Sequence, residues 1–245
     1  MDALEALAIV ALSAVMSAVA FRRGFLTKDG AAAAFVSACV IGLFGSIWWL
    51  LAYIVFPAVA FAATLIDIGK KEEKGLQEGK KGERSALNIL GVGLAPMAIA
   101  LANFADGTFG GGDAADLLAC AFVSAVAVSM ADTVSSEIGV LDDKVWMITN
   151  MKRTEPGING GVSRLGLLSS LAAAFVYAFM GWTIVFGSFD ILFLIPAVCG
   201  MAGNLLDSVV GAVLENRGLI SKYGNNCVTA FAGGALGFLV CFAVA

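Results

Sequence analysis

Two clusters of polar residues sit where long apolar runs end. Asp132, Ser135, Ser136 and Glu137 close the run Leu117 to Val134, and Asn204, Asp207 and Ser208 lie near the end of a later one. Charged groups in or at the edge of a bilayer are costly, so they mark functional sites by default. On helical spacing Asp132 shares a face with Ser135 and Ser136, and Asn204 shares one with Asp207 and Gly211. Carboxylate and amide oxygens are hard donors that suit Mg²⁺, an ion that keeps waters and bridges to phosphate oxygens. Asn159-Gly160-Gly161-Val162-Ser163 and Asn225-Asn226 stand at the starts of the returning runs. A helix start with glycine offers free N–H groups and a positive dipole end to anions. Arg84, Lys152, Arg153, Arg164 and Lys222 are placed in polar stretches from which they could neutralise phosphate charge. The set as a whole fits a polyphosphate held with a divalent cation. The same residue types also cap helices and bridge them, but Asp132 and Asp207 are costly to bury for that purpose alone.

The elements that position these residues are set by composition. The chain has 245 residues, of which 60% are hydrophobic and only 14% charged, and its mean hydropathy is +0.91. A soluble domain carries charge on nearer a quarter of its residues. A polytopic membrane helix bundle forming one integral membrane domain over residues 1–245 is therefore predicted, with about eight spans. The spans are expected at Leu4 to Ala20, Gly30–Ser46, Trp48–Ile66, Ser85 to Asn103, Leu117 to Val134, Gly161–Phe186, Asp190–Val213 and Asn226–Ala245. The first begins with acids and ends with Arg22-Arg23, the reverse of a cleavable signal, and reads as an uncleaved anchor. The chain contains no histidine, which removes histidine metal sites and histidine acid–base chemistry. Five cysteines are scattered over separate apolar runs without metal or redox spacing and read as packing residues.

Charge then fixes orientation. With the N-terminus outside, the inward loops are 22–30, 67–84, 139–164 and 214–225, and they hold all 15 Lys and Arg residues. The opposite side, including the acidic glycine-rich loop from Asp106 to Asp116, holds none. Positive charge concentrates on the cytoplasmic side, so both termini are expected outside and the polar motifs inside. Every candidate residue then lies at a cytoplasmic helix end, whereas a midplane transport site would place such groups at bilayer depth. Asp132-Thr133-Val134 also parallels Asp207-Ser208-Val209, and Asn159 to Ser163 parallels Asn225 to Thr229. That pattern raises a possible parallel repeat, spans five and six against seven and eight.

In combination, Arg84-x3-Asn88, Ala131-Asp132-Thr133-x-Ser135-Ser136-Glu137-Ile138-Gly139, Asn159-Gly160-Gly161-Val162-Ser163 and Gly203-Asn204-x2-Asp207-Ser208-x2-Gly211 are specific, and they occur here in that order. From about Arg84 onward the chain resembles the membrane family of transmembrane protein 19 and the plant phytyl-phosphate kinase of tocopherol synthesis, in an archaeal-type form. Glu215 stands where glutamine is expected, and Thr229 where asparagine is more usual.

The resemblance implies a kinase that passes the γ-phosphate of a nucleoside triphosphate, CTP by expectation, to a prenyl monophosphate such as phytyl or geranylgeranyl phosphate. Asp132, Glu137 and Asp207 would hold Mg²⁺, and Arg84 would act with the two aspartates in catalysis. Asn88, Asn204 and Asn225 would orient metal or phosphate, and Gly160, Gly161 and Ser163 would cradle phosphates. Ser135, Ser136, Asn159, Ser208, Asn226, Lys152, Arg153 and Lys222 complete the expected substrate and nucleotide contacts. The expected partners are the nucleotide, the prenyl phosphate and the bilayer of the cell membrane, with no nucleic acid and no oligomeric state specified. A prenol or lipid-alcohol kinase would share the site but need Asp132 or Asp207 as a base. A secondary transporter of a small anion would need polar groups deeper in the bundle.

Overall fold

The computed structural model describes residues 2–79 and 82–244; Lys80 and Lys81, two of the basic loop residues, lie outside the described residues. The long helices are α1 (Ala3–Arg22), α2 (Lys28–Phe44), α3 (Ile47–Leu65), α5 (Ala86–Ala105), α6 (Ala115–Gly139), α7 (Arg164–Phe186), α8 (Leu194–Val213) and α9 (Lys222–Val244), and a short α4 (Ile68–Lys74) follows α3. Among the described residues seven helices are long and apolar enough to cross a membrane, and α2 has 17 residues. The protein is a membrane-type helix bundle, with a large apolar surface left on its outer faces, as at Leu168, Leu171, Leu239 and Phe242. Helix starts follow polar side chains: Asp2 accepts from the Glu5 N–H, Thr27 from Gly30, Ser46 from Trp49 and Ser163 from Gly166. Gly45 and Ser46 break the long second apolar run, ending α2 and capping α3.

The bundle is built around α6. Its apolar window is 83% buried, against 17–44% for the other candidate spans, and it packs on α3, α5, α7, α8 and α9. Small residues make that density possible. A Cβ on Gly200 of α8 would lie 3.1 Å from the Ala127 Cβ, and one on Gly234 of α9 would lie 3.2 Å from the Ala121 carbonyl. Backbones approach this closely only where side chains are missing, the usual way helices associate without a hydrophobic drive between them. On the α3 side the contact is aromatic, with Trp49 stacked on Phe122 at 4.4 Å between ring centroids.

Three expected boundaries move. The α6 helix continues to Gly139, so the polar stretch from Asp132 is its last turns and not a segment beyond it. The α9 helix starts at Lys222, which puts Asn225 and Asn226 inside its first turns. Gly161 to Ser163 does not open α7; it forms β3 (Gly161–Ser163), and the helix starts at Arg164. The strand pairs antiparallel with β1 (Val145–Met147), Met147 opposite Gly161 and Val145 opposite Ser163, and β1 pairs on its other side with β2 (Arg153–Thr154). This small sheet occupies a loop read from sequence as polar connection alone.

One end of the bundle collects the loops. The Thr27 N–H donates to the Arg84 carbonyl at 3.1 Å, and Ser163 donates to the Gly139 carbonyl at 3.2 Å. The starts of α2, α5, α7 and α9 therefore meet the ends of α3, α6 and α8.

Candidate active site

At that end α6, α8 and α9 leave between them a cavity of about 410 Å³, covered by the segment Gly75 to Glu78 and by the approach to β3. Two acids from different helices meet in it. Asp132 of α6 and Asp207 of α8 both line it, with their side chains close enough to interact. Two carboxyl groups this close repel unless they share a proton or a cation. Thr229 donates to Asp207 Oδ1 at 3.3 Å, and Asn225 Nδ2 donates to the Asp207 carbonyl at 3.0 Å and to Glu215 Oε2 at 3.4 Å. Asn225 Oδ1 is buried without a hydrogen-bond partner among the described residues. A buried amide oxygen in that state is an acceptor awaiting a donor or a cation. Asn204, also buried, lines the same cavity.

Around this centre the structure brings together Ser135, Ser136, Asn159, Gly160, Gly161, Ser163, Ser208, Lys222 and Asn226. The glycines have a geometric reason. Gly160 has φ +81°, and a Cβ there would lie 2.8 Å from the Ser208 carbonyl of α8. Gly161 uses its N–H on the Ile158 carbonyl at 2.9 Å, and Ser163 is occupied as the α7 cap. These residues shape the wall through backbone packing, and the helix start beside them is that of α7, whose cap Ser163 and first-turn Gly166 also line the cavity.

Glu137 is placed differently from the two aspartates. Its Oε2 takes the Lys71 ammonium at 2.9 Å, while Oε1 takes the Arg84 guanidinium and the Thr64 hydroxyl, the latter at 2.9 Å. Lys71 also donates to the carbonyls of Ala63 and Thr64 at 2.9 and 3.0 Å and has 0% of its side chain exposed. A carboxylate held by two cations and a hydroxyl is a clamp that joins α6 to α3, α4 and the segment before α5, although Glu137 also borders the cavity. Among the described residues no group of three Asp, Glu, Cys or His side chains surrounds one point. Asp132, Asp207 and Asn204 line the cavity with oxygen donors, the donor type that Mg²⁺ takes when substrate phosphates complete its shell.

Arg84 and Asn88 lie next to the cavity, lining an adjoining crevice with Lys222 and Asn226. Asn88 Oδ1 accepts from the Ser85 N–H at 2.9 Å, closing the start of α5, and its Nδ2 donates to Glu78 Oε1 at 3.0 Å. Lys152 and Arg153 stay on the exposed β1–β2 turn, with the Arg153 guanidinium 4.6 Å from the Trp146 ring centroid, and neither lines the cavity. Sequence reasoning passed over Lys71, Thr64 and Glu78. Glu78 accepts from Lys222 at 2.6 Å across the cavity mouth. Burial alone would raise its carboxyl, but Lys222, Arg84 and Asn88 outweigh burial and hold it below the ordinary value.

Such a bundle, with paired acids in a polar cavity at one end and apolar outer faces, is an integral membrane protein with a built-in polar site. The chain belongs to the family described as integral membrane protein DUF92, whose profile matches residues 11–235; this is in keeping with the resemblance read from the motifs. It is 28% identical over 216 residues to the uncharacterized membrane protein MJ0933 of Methanocaldococcus jannaschii, covering 88% of this chain and 85% of that one. It is 31% identical over 220 residues to the chloroplastic protein VTE6 of Arabidopsis thaliana, covering 88% of this chain and 64% of the relative. An uncharacterized membrane protein of Synechocystis is 30% identical over 189 residues, covering 75% of this chain and 71% of its own length. No solved structure matches.

Proposed function

We propose that the protein is a nucleoside-triphosphate-dependent prenyl-phosphate kinase. It would convert phytyl or geranylgeranyl monophosphate to the diphosphate at the cytoplasmic face of the cell membrane, with CTP as the donor. The observation that carries this reading is the Asp132–Asp207 contact inside a polar cavity at the loop-bearing end of a lipid-facing bundle. A prenyl tail belongs in the bilayer and its phosphate at the surface, so the acceptor delivers its reacting atom to such a helix end. The motif resemblance to the plant phytyl-phosphate kinase family supports the reaction, and the basic residues gathered at this end support a cytoplasmic orientation.

In the reaction an acceptor phosphate oxygen attacks the γ-phosphorus, the bond from that phosphorus to the β-bridging oxygen breaks, and the nucleoside diphosphate leaves with the electron pair. The acceptor is already an anion, so no base has to remove a proton; positioning and charge neutralisation carry the catalysis. Asp132 and Asp207, with Asn204, would hold Mg²⁺, which when bound neutralises the phosphate oxygens on which charge develops, and Asn225 would hold the Asp207 backbone in place. Lys222 and Arg84 would balance the acceptor's charge. Ser135, Ser136 and Ser208 offer hydroxyls to phosphate oxygens along the walls. The cover formed by Gly75 to Glu78 and the approach to β3 would limit water at the transferring group.

The test is incubation of purified protein with Mg²⁺, geranylgeranyl phosphate and each of the four nucleoside triphosphates, read by mass. Nucleotide-dependent geranylgeranyl diphosphate is expected, most with CTP. No diphosphate with any of the four would end this reading, and phosphorylation of geranylgeraniol in preference to its phosphate would convert it to an alcohol kinase.

A further inference from the structure

We propose that the crevice between α3 and α5 is the entry track of the acceptor lipid. In it a prenyl monophosphate sets its phosphate against Arg84 and Lys222 and runs its tail between the two helices. This rests on the reading above and adds where the acceptor binds.

The crevice is amphipathic along its length. Phe56, Pro57 and Phe61 of α3 face Ile89 and Val92 of α5, while Arg84, Lys222 and Asn226 form the polar end. Both helices pack on α6, yet they make little contact with each other, which leaves the gap. Pro57 lies inside α3, where its missing N–H removes one helical bond and loosens that wall.

Continuity with the large cavity gives the crevice its meaning. Lys222 and Asn226, one turn apart on α9, line both spaces. On α6, Asp132 faces the cavity and its neighbour Thr133 faces the crevice. A donor phosphate in the cavity and an acceptor phosphate at the crevice mouth would thus meet across two side chains. The charge at the mouth suits an anion: Arg84 and Lys222 line the crevice, and among the described residues no acid lines it. A nucleotide would waste the apolar walls, and an uncharged lipid would make no use of the two cations that line the crevice with them.

The crevice has a volume of about 40 Å³, against about 410 Å³ for the cavity, too little for a prenyl tail. A tail therefore enters as the walls part. Phe25, in the turn between α1 and α2, stacks on Phe61 of the α3 wall at 4.7 Å between ring centroids.

The test uses full-length protein in liposomes without nucleotide, with a geranylgeranyl phosphate analogue that carries a benzophenone in its tail. Photoadducts are expected on the α3 segment from Phe56 to Phe61 or the α5 segment from Ile89 to Val92, and unlabelled geranylgeranyl phosphate should compete them away. Adducts confined to the outer faces of α7 or α8 would overturn the assignment. A Val92→Trp variant, which fills the track, should raise the KM for geranylgeranyl phosphate at least tenfold and leave the KM for the nucleotide in place. An unchanged acceptor KM in folded Val92→Trp would also overturn it. The cross-linking needs no turnover, so it tests the track even if the kinase assay fails.

Discussion

Asp132 and Glu137 stand about a turn and a half apart on the same helix, and the two acids are built for opposite ends. Asp132 meets another acid, Asp207, across a cavity. Glu137 borders the same cavity but meets Lys71, Arg84 and Thr64, so its charge is already answered within the chain. An acid facing an acid requires something from outside the chain. An acid facing two cations is complete. At the polar end of a membrane bundle, the partner across the gap therefore decides whether a carboxylate is available for chemistry or is part of the frame.

The largest effect should come from the open pair. Asp132→Asn and Asp207→Asn keep shape and remove charge, so each should lower transfer at least about a hundredfold, the scale of losing one preorganised electrostatic contact. Their thermal midpoints should not fall, because a like-charge contact is relieved. Initial rates and melting curves on the same preparations check both statements, and near wild-type turnover in both variants would remove the carboxylates from the mechanism.

The closed acid should behave in the reverse way. Glu137→Gln leaves the Lys71 ammonium, with 0% of its side chain exposed, without its counter-charge. Breaking a buried pair from one side costs about 3–5 kcal/mol. Adding Lys71→Met should recover most of that loss. Denaturation in detergent reads the cycle, and a Glu137→Gln protein within about 1 kcal/mol of wild type would show that the clamp does not hold α4 to α6.

A third substitution probes the wall between the two regions. Gly160 holds φ +81° and lies against α8, so Gly160→Ala meets both backbone strain and the Ser208 carbonyl. A loss of about 1–3 kcal/mol is expected, smaller than that of the broken clamp. A stable Gly160→Ala protein would mean that the loop from Asn159 is free to move away from α8.

Much of this arrangement was legible because it follows from solvent. Apolar runs long enough to span a bilayer, broken by Gly45-Ser46 and flanked by basic loops, leave few alternatives to the helices observed, and the costliest acids, Asp132 and Asp207, do come together. What was not legible depended on partners distant in sequence. Lys71 lies in a run of mixed charge that reads as solvated, and the counter-charge for its burial comes from Glu137, 66 residues away. The cations that meet Glu137 are not legible either, because spacing along a helix does not reveal what faces it. The strands at Val145–Met147, Arg153–Thr154 and Gly161–Ser163 are two or three residues long, too short to show an alternation.

The smallest effect is expected where a similar link is made in water. Lys74 and Asp143 also join α4 to the end of α6, at 2.7 Å, but the Asp143 side chain is 82% exposed. The Lys74 ammonium, as a hydrogen-bond partner and a nearby charge, holds the Asp143 carboxyl below its ordinary value. Any contribution is therefore present above the usual carboxylate range and lost as pH falls through the lowered value. In water that contribution is screened and offset by the entropy of holding two long side chains together. Asp143→Asn should leave the melting midpoint where it is at neutral pH, at low and at moderate salt alike. A drop comparable to that of Glu137→Gln would mean that α4 is held by its exposed charges as much as by Lys71, and the distinction between clamp and surface pair would fail at the helix where both are found.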